Sequence, residues 1–475
     1  MVAANVVVKV WRTLALAAIV AALGTYIYVV ERPRVADEQA GDFLLDLKPK
    51  EVTSITLRYP STAPIRLERD GDGWRLREPL DFPADSGIVE RLLDQIAETK
   101  VERRIKTSGA EPLATYGLDG DGQQARISLA TSAAAKLPDL VVGRTTPVGY
   151  SAFVRLEGSD EIVVTPLIFH TGIKKTVLEL RKKRLFEIDP TRVIAMRVGD
   201  GAGGIQMERR GDDWEIKAPI ETRADAEQAR ALISSLNEIE ALEFFDSPRP
   251  SDDVIGSGGL HVRATLAGGD EIGFRLGKPV DSDPSGHYLV RDSDGLVVKV
   301  EPATAVKFPK DVNTLRDKRL FSCEANDLAD VRFERADGQS FALSQSGGQW
   351  TVTPAPADGT LRDNVVRRTV SGLLGLAGAD VAAEDTAPSD LAAFGLDSPV
   401  VDVDLLRRDG SSCGRALAGI RGPSSETPAY YVKRATNGLV MTLPSYLFSR
   451  IDVRRDDLIE IKPAPAPLAP ADKPE

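Results

Sequence analysis

The chain has 475 residues, of which 28% are charged and 42% hydrophobic, a balance that is ordinary for globular protein. At ~150 residues per domain, this length predicts roughly three domains. The formal net charge of −11 argues against binding of nucleic acid, or of anionic lipid headgroups, through bulk electrostatics.

The first element in chain order is an apolar segment at residues 13–30, which contains no charged residue. This is about the minimum length that crosses a bilayer core. Because Lys9 and Arg12 precede it, we expect the N-terminus to stay in the cytoplasm. Residues 1–34 are therefore predicted to be a cytoplasmic stub and transmembrane anchor of a single-pass protein of the bacterial inner membrane. The body would then be periplasmic or extracellular. A cleaved signal peptide is the alternative.

One motif, centred on tryptophan, occurs three times along the rest of the chain. Trp74, Trp214 and Trp350 define a repeat period of roughly 140 residues, and each has a glycine three residues earlier and a proline shortly after it. We therefore predict tandem repeat units at residues 50–190, 191–328 and 329–462. The shared motif residues are Gly71, Gly211, Gly347, Trp74, Trp214, Trp350, Asp85, Asp225 and Asp363.

Within a unit, the apolar pattern indicates strands and then a helix. Period-two alternation at 54–59, 65–69 and 74–77 predicts strands, joined by hairpin turns such as 70–73 and 210–213. The aspartate after each tryptophan suits a helix N-cap, because a carboxylate accepts hydrogen bonds from the free N–H groups of the first helical turn.

In the first unit this helix is predicted from residue 85 to about residue 100. Further strands are predicted near 125–130, 139–143, 152–156 and 161–165, and a second helix at about 167–184. Since strands and helices do not strictly alternate, we predict an α+β fold. Its units are mixed, mainly antiparallel β-sheets with helices, placed after an N-terminal transmembrane helix.

Each copy also carries a Gly-Leu pair, at residues 117–118, 259–260 and 395–396. Copies one and two end on near-identical segments at 180–186 and 315–321, and copy three on a looser version at 453–459. Divergence is expected in a terminal repeat, because no following unit packs on its outer face.

The usual catalytic residues are scarce. His170 is predicted on the helix that closes the first copy, His261 stands where the other copies have an aspartate, and His287 is predicted in a loop. No zinc-binding or phosphate-loop motif occurs in the sequence. We therefore predict no catalytic residues, no metal site and no cofactor.

Two charged patterns have a functional and a structural interpretation. Residues 281–292 imitate the ligand spacing of a calcium loop, but no helices are predicted beside them, so a hairpin loop is favoured. The basic residues 174–175 and 181–184 are interpreted as a solvated helix face in preference to a docking patch.

The two cysteines, Cys323 and Cys413, could pair in an oxidising compartment, although two cysteines do not make a disulfide framework. The proline- and alanine-rich residues 463–475 are predicted to be a disordered tail.

Together, the tryptophan-centred strand pair, the helix after it, the Gly-Leu turn and the single N-terminal span resemble a bacterial family of unknown function. The members of that family are membrane-anchored and carry this domain in tandem. They are often encoded beside the permease and auxiliary subunits of a gliding-motility-type ABC transporter. The resemblance implies partners among integral membrane proteins, including such subunits. It brings no known catalytic residues, so none can be assigned to this chain.

Three classes of function remain. A non-enzymatic envelope scaffold, or accessory subunit of an ABC-type transport system, is favoured because tandem repeats build extended docking surfaces. A periplasmic glycan- or lipid-binding module is the second class, and a periplasmic hydrolase is the third. A catalytic site would break the repeat symmetry with converging acid, base and nucleophile residues, and the sequence contains no such set.

Overall fold

The computed structural model describes residues 42–106, 113–132, 137–200, 203–256, 259–422 and 429–461. Over these residues the chain forms mainly antiparallel β-sheets with short helices, an α+β architecture. The predicted anchor at 1–34 and the predicted tail at 463–475 lie outside the described residues. Within the described ranges, no helix combines the length and the apolar character needed to cross a membrane.

The first sheet has nine strands and is accompanied by three helices. The helices are α1 (Ser86–Glu98), α2 (Leu167–Gly172) and α3 (Val177–Leu180). The strands are β1 (Val52–Arg58), β2 (Ile65–Asp70), β3 (Gly73–Glu78), β4 (Phe82–Pro83), β5 (Arg103–Lys106), β6 (Ala125–Thr131), β7 (Leu140–Thr145), β8 (Ser151–Leu156) and β9 (Glu161–Pro166). Across the sheet, their order is β4-β3-β2-β1-β6-β7-β8-β9-β5.

The second sheet repeats this order with nine more strands. Its helices are α4 (Ala226–Ser234), α5 (Asp252–Ile255) and α6 (Ala303–Val306). Its strands are β10 (Val193–Gly199), β11 (Ile205–Arg210), β12 (Asp213–Ala218), β13 (Thr222–Arg223), β14 (Glu243–Phe244), β15 (His261–Leu266), β16 (Glu271–Val280), β17 (Asp283–Arg291) and β18 (Val297–Val300). They lie in the order β13-β12-β11-β10-β15-β16-β17-β18-β14.

The third sheet follows the same plan with eight strands. Its helices are α7 (Asp363–Leu374) and α8 (Ser445–Phe448). The strands of this region are β19 (Leu328–Arg335), β20 (Phe341–Ser346), β21 (Gln349–Thr353), β22 (Thr360–Leu361), β23 (Val381–Ala383), β24 (Val401–Arg407), β25 (Ser412–Arg421), β26 (Ala429–Arg434), β27 (Val440–Pro444) and β28 (Ile459–Glu460). The order is β21-β20-β19-β24-β25-β26-β27-β23, and β22 pairs separately with β28.

By their contacts, the residues divide into two compact units. Of the described residues, the first contains those from 42 to 186, 239–248 and 298–300, and the second contains those in 187–238, 249–297 and 301–461. The first sheet lies within the first unit and the third sheet within the second.

The strand and turn pattern follows from the alternation and the glycines seen in the sequence. Each tryptophan pairs with a residue of the preceding strand across a two-residue hairpin loop, as Trp74 does with Arg69. The first loop residue has a positive φ in all three repeats: +59° at Gly71, +62° at Gly211 and +58° at Gly347. Glycine is preferred there because it adopts this conformation without a steric penalty.

The helix after each tryptophan buries one apolar stripe, but its cap differs among the repeats. The Asp85 carboxylate accepts from the backbone N–H of Ile88 at 3.0 Å, and the Asp225 carboxylate caps α4 in the same way. In the third repeat the N-cap is Arg362, without a side-chain cap. Asp363 is instead the first helical residue and pairs with Arg367 at 2.7 Å, so the expected cap is absent there.

The long second helix predicted at about 167–184 is not found. α2 ends at Gly172 and α3 ends at Leu180, and the chain then continues in an extended conformation. We call residues 180–186 and 315–321 the closing segments. The first half of each pairs with its own repeat: the N–H of Asp85 donates to the Leu180 carbonyl, and that of Asp225 to the Leu315 carbonyl, both at 2.8 Å.

The second half of each closing segment pairs with the next repeat. Its partners there are residues that follow the helix after the tryptophan of that repeat. The N–H of Leu185 donates to the carbonyl of Ile239 at 3.0 Å, and that of Leu320 to the carbonyl of Leu376 at 2.8 Å. In the first repeat, the N–H of Leu44 occupies this place and donates to Thr99 at 2.7 Å. A closing segment therefore belongs to two successive repeats.

The third repeat closes at a different point from the one predicted at 453–459. The N–H of Arg362 donates to the carbonyl of Leu458 at 2.8 Å, as Asp85 does to Leu180 in the first repeat. Leu458 is therefore the counterpart of Leu180, five positions later than the sequence comparison placed it.

The apolar cores extend beyond the boundaries predicted for the units. The core of the first sheet includes Leu44, Leu45 and Leu47, which precede residue 50. The core of the third sheet includes Leu320 and Phe321, which precede residue 329. The second closing segment thus supplies core residues to the sheet that follows it.

Candidate functional site

The three tryptophans occupy equivalent positions in their sheets and are structural residues. Trp74, Trp214 and Trp350 lie on β3, β12 and β21, and their exposed fractions are 3%, 4% and 9%. The guanidinium of Arg69 stands over the ring of Trp74, 4.6 Å from its centroid. Each ring lies inside a core, which is the place of a packing residue rather than of a ligand-binding one.

The most elaborate polar contact in the first unit surrounds Arg181 of the closing segment. This side chain is only 3% exposed, and its guanidinium lies between the rings of Phe82 and Phe244, at 4.1 and 3.6 Å from their centroids. It also makes a two-pronged ion pair with Asp246, in which Nη2 donates to Oδ1 at 3.1 Å. A planar guanidinium suits this position because it can contact the aromatic rings as a cation and bind both carboxylate oxygens.

The counterpart in the second closing segment is Arg316. Its Nη1 donates to Glu384 at 2.8 Å and to the Asn313 side chain at 3.3 Å, within the second unit. In both cases an arginine of one repeat pairs with an acid that closely follows an edge strand of the next, β14 or β23. The basic run at 181–184 is therefore partly buried at a joint, which corrects the interpretation of a solvated helix face.

The three histidines do not converge. His170 is 7% exposed on α2, and neither ring nitrogen has a hydrogen-bond partner among the described residues. Burial, with a smaller contribution from Lys174, lowers the pKa of its imidazole. His261 begins β15 and lies 2.9 Å from Asp292, whereas His287 lies within β17 rather than in the predicted loop.

The described residues contain no group of three or more histidine, cysteine or acidic side chains that could hold a metal ion. The calcium-like pattern falls on the hairpin between β16 and β17, where Val280 pairs with Asp283. Cys323 and Cys413 form a disulfide, with their Cα atoms 5.2 Å apart. One site within the described chain that could hold a small molecule is a cavity in the first repeat.

This cavity has a volume of about 560 Å³ and lies between the β1–β2 loop and the segment that leads into α3. Its lining residues are Tyr59, Pro60, Thr62, Ala63, Ile65, Pro79, Gln124, Lys174, Lys175, Thr176 and Val177. We call it the loop cavity. Its size falls within the range of roughly 300–1,000 Å³ that is usual for ligand pockets.

Tyr59 fixes the two walls of the loop cavity to each other. Its hydroxyl donates to the carbonyl of Ile173 at 2.6 Å and accepts from the backbone N–H of Lys175 at 3.0 Å. Burial raises the pKa of this phenol. The hydroxyl is thus engaged by the backbone, and the side chain positions the lysines rather than binding a ligand.

Tyr59 belongs to none of the motifs recognised in the sequence. One available signal was the position at the end of the first strand of each repeat, which is Tyr59 in the first copy, Asp200 in the second and Arg335 in the third. A position that differs so strongly within a repeat is typical of a local specialisation. In the third repeat, Arg335 donates to Asp452 at 2.6 Å and to the carbonyl of Val453 at 3.1 Å.

Comparisons with known proteins identify a family but no close relative of known structure. Neither the curated proteins nor the solved structures include a significant match to this chain. A family model described as "Domain of unknown function (DUF4340)" matches in two tandem copies, over residues 74–254 and 259–399. Because these matches cover more than half of the sequence, the chain belongs to the DUF4340 family.

Proposed function

We propose that this protein is a non-enzymatic envelope scaffold that serves as an accessory subunit of an ABC-type transport system. The observation that carries this proposal is the repeated joint at Arg181 and Arg316. At both positions a buried or nearly buried cation joins a closing segment to the repeat after it. Charged and aromatic side chains, which in an enzyme could take part in catalysis, here hold successive repeats together. Tandem repeats in turn present broad surfaces to partner proteins.

The proposed location rests on two supports. The apolar residues 13–30 with Lys9 and Arg12 before them favour an anchor whose N-terminus is cytoplasmic. The pairing of Cys323 with Cys413 favours an oxidising compartment for the body, because disulfides persist there and are rare in the cytosol. The resemblance to membrane-anchored, transporter-associated proteins agrees with this location as an analogy.

Reporter fusions test the location. Alkaline phosphatase fused after residue 475 should be active. Green fluorescent protein fused at the same position should not fluoresce, because the fusion would be exported unfolded. Sequencing of the N-terminus should find the residues before position 13 retained in the membrane-bound protein. A mature chain that begins near residues 36–41 would show that the segment is a cleaved signal peptide.

Co-purification tests the scaffold role. The full-length chain, tagged and extracted from membranes with mild detergent, should retain an integral membrane partner in near-stoichiometric amount. A tagged residue 1–41 segment serves as the matched control and should not retain that partner, since the proposal assigns docking to the repeats. Recovery of the full chain alone, or hydrolytic turnover by the pure chain, would contradict the proposal.

The second candidate, a lipid-binding module of the envelope, is favoured by a different observation. The loop cavity combines an apolar wall with two lysines, and Tyr59, which ties its two walls together, is replaced by Asp200 in the second repeat. This candidate is compatible with the scaffold role, because the loop cavity and the joints use different side chains.

A further inference from the structure

The loop cavity has the two surfaces that an amphiphilic ligand requires. One wall is mainly apolar: Pro60, Ala63, Ile65, Pro79 and Val177 line it. Ile65 is buried in the first core, whereas Pro60, Ala63 and Pro79 are exposed, so the cavity has a closed floor and an open side. An apolar chain could lie along this wall and withdraw its surface from water, at about 0.8 kcal/mol per buried methylene.

The opposite wall carries two adjacent cations, Lys174 and Lys175. Among the described residues, neither lysine has a carboxylate within ion-pair distance. The acid on the same segment, Glu179, is engaged by Thr176, whose N–H and hydroxyl donate to it at 2.7 and 2.8 Å. Neither cation is held in a close ion pair within the described chain, although the Glu179 carboxylate attracts Lys175 over a longer distance.

The backbone holds this arrangement in place. Tyr59 accepts a hydrogen bond from the N–H of Lys175 and donates one to the carbonyl of Ile173, so the lysine segment is tied to the end of β1. The counterpart of Lys175 in the second repeat is Lys310, where Asp200 stands at the position of Tyr59. The first repeat thus differs from the second at the residue that organises the cavity.

We propose that the loop cavity binds an anionic amphiphile, an acyl chain that ends in a carboxylate or a phosphate. The chain lies against Pro60, Ala63 and Val177, and the anionic head meets the ammonium groups of Lys174 and Lys175. Charge complementarity selects this occupant over a neutral lipid, because a neutral head would leave both ammonium groups unpaired. The ligand site goes beyond the scaffold role and does not depend on it.

Photolabelling of the full-length chain tests the proposal. The purified protein, reconstituted in nanodiscs of zwitterionic lipid, is irradiated with a long-chain carboxylate that carries a diazirine, and the adducts are mapped by mass spectrometry. Adducts should concentrate within residues 59–65 and 174–177. The double variant Lys174→Gln/Lys175→Gln should lower this labelling at least about fivefold, as expected when the affinity for the charged head is lost.

Two further variants separate binding from folding. Lys310→Gln changes the counterpart in the second repeat and should leave the labelling unchanged. Ala63→Trp places a large ring in the cavity from an exposed position, and it should abolish labelling while the unfolding temperature is retained. Labelling that persists in the double lysine variant, or that spreads evenly over the chain, would overturn the proposal.

Competition identifies the head group. Unlabelled dodecanoate and dodecyl phosphate should compete with the probe, and the stronger competitor identifies whether the natural ligand carries a carboxylate or a phosphate. Dodecanol should compete poorly, and equal competition by dodecanol would contradict the role of the lysines. Because labelling is measured without any partner protein, its outcome is separate from that of the co-purification.

Discussion

At the scale of single residues, the three buried tryptophans account for a large share of the packing in their repeats. Truncation of Trp74 to alanine should destabilise its repeat by about 3–5 kcal/mol, because it removes a buried aromatic and leaves a cavity. Trp214→Ala should have a similar effect. Hydrogen exchange, followed by mass spectrometry of proteolytic peptides, measures the loss of stability for each repeat separately.

The control for this prediction is Phe43→Ala. Phe43 is 56% exposed, so its truncation should change stability by no more than about 0.5 kcal/mol. A tryptophan variant that is as mild as this control would mean that the ring contributes little to the core.

His170 makes stability depend on pH, and the direction follows from its lowered pKa. The unfolded chain binds a proton at the ordinary histidine pKa of about 6.5, before the buried imidazole does. Stability is therefore complete above that pH and declines as the pH falls below it, until the folded imidazole is also protonated. His170→Leu should remove this decline, which denaturant titrations at pH 7 and pH 5 measure.

The leucine variant should also be at least as stable as the parent chain at pH 7. The imidazole nitrogens have no hydrogen-bond partner among the described residues, so leucine leaves no buried polar group behind. Loss of stability in this variant at pH 7 would indicate that the ring has a partner, such as a bound water.

At the scale of elements, the helix caps offer a comparison within one chain. Asp85→Ala should destabilise α1 by about 1 kcal/mol, because it leaves the N–H of Ile88 without its acceptor. Asp363→Ala should cost less than about 0.5 kcal/mol, because that residue only pairs with the exposed Arg367. Protection of the two helices against hydrogen exchange distinguishes them, and equal losses would contradict the assigned caps.

The joint at Arg181 predicts that lysine cannot replace arginine. Arg181→Lys keeps the charge but loses the guanidinium contacts with the rings of Phe82 and Phe244 and the two-pronged contact with Asp246. We expect a loss of about 2–3 kcal/mol in the first unit, as for a buried charge-assisted hydrogen bond. The matched control is Arg184→Lys in the same segment, which is exposed and should be nearly neutral.

Some of these elements could be predicted from the sequence and others could not. The strands and the first helix were predictable because alternation and helical spacing are local signals, and the structure places β6 to β9 close to the predicted ranges. The helix predicted at 167–184 was wrong because its charged residues have adequate helical propensity. Their extended conformation is imposed by pairing with distant residues such as Ala84 and Glu240.

The candidate site was less predictable than the fold. The loop cavity depends on Tyr59 and Ile173, whose hydrogen bond joins residues 114 positions apart. A contact between residues so far apart in the chain produces no periodic pattern in the sequence. The lysines were noticed, but as a helical face, because nothing local indicated that the chain changes direction between α2 and α3.

At the scale of the whole molecule, the disulfide predicts a response to reducing agents. Cys323 and Cys413 are 90 positions apart, so the bond should stabilise the third repeat by about 2–5 kcal/mol. A reductant should lower the unfolding temperature of the exported protein and should have no effect on Cys323→Ser/Cys413→Ser. Alkylation without prior reduction should add no mass, and labelling of both thiols in the untreated protein would contradict the pairing.

The shared closing segments determine where this chain can be recombined. Three residues occupy equivalent places in successive repeats: Asp42, Lys183 and Lys318. The carbonyl of each accepts a hydrogen bond from a backbone N–H just before the edge strand that follows the next helix. A segment that contains both partners of these backbone hydrogen bonds therefore begins at one of these residues and ends just before the next. A crossover at residue 328 would separate Leu320 and Phe321 from the core they fill. Exchange of repeats between relatives should therefore preserve folding when the crossover falls in the middle of the LRxKRLF sequence rather than after it.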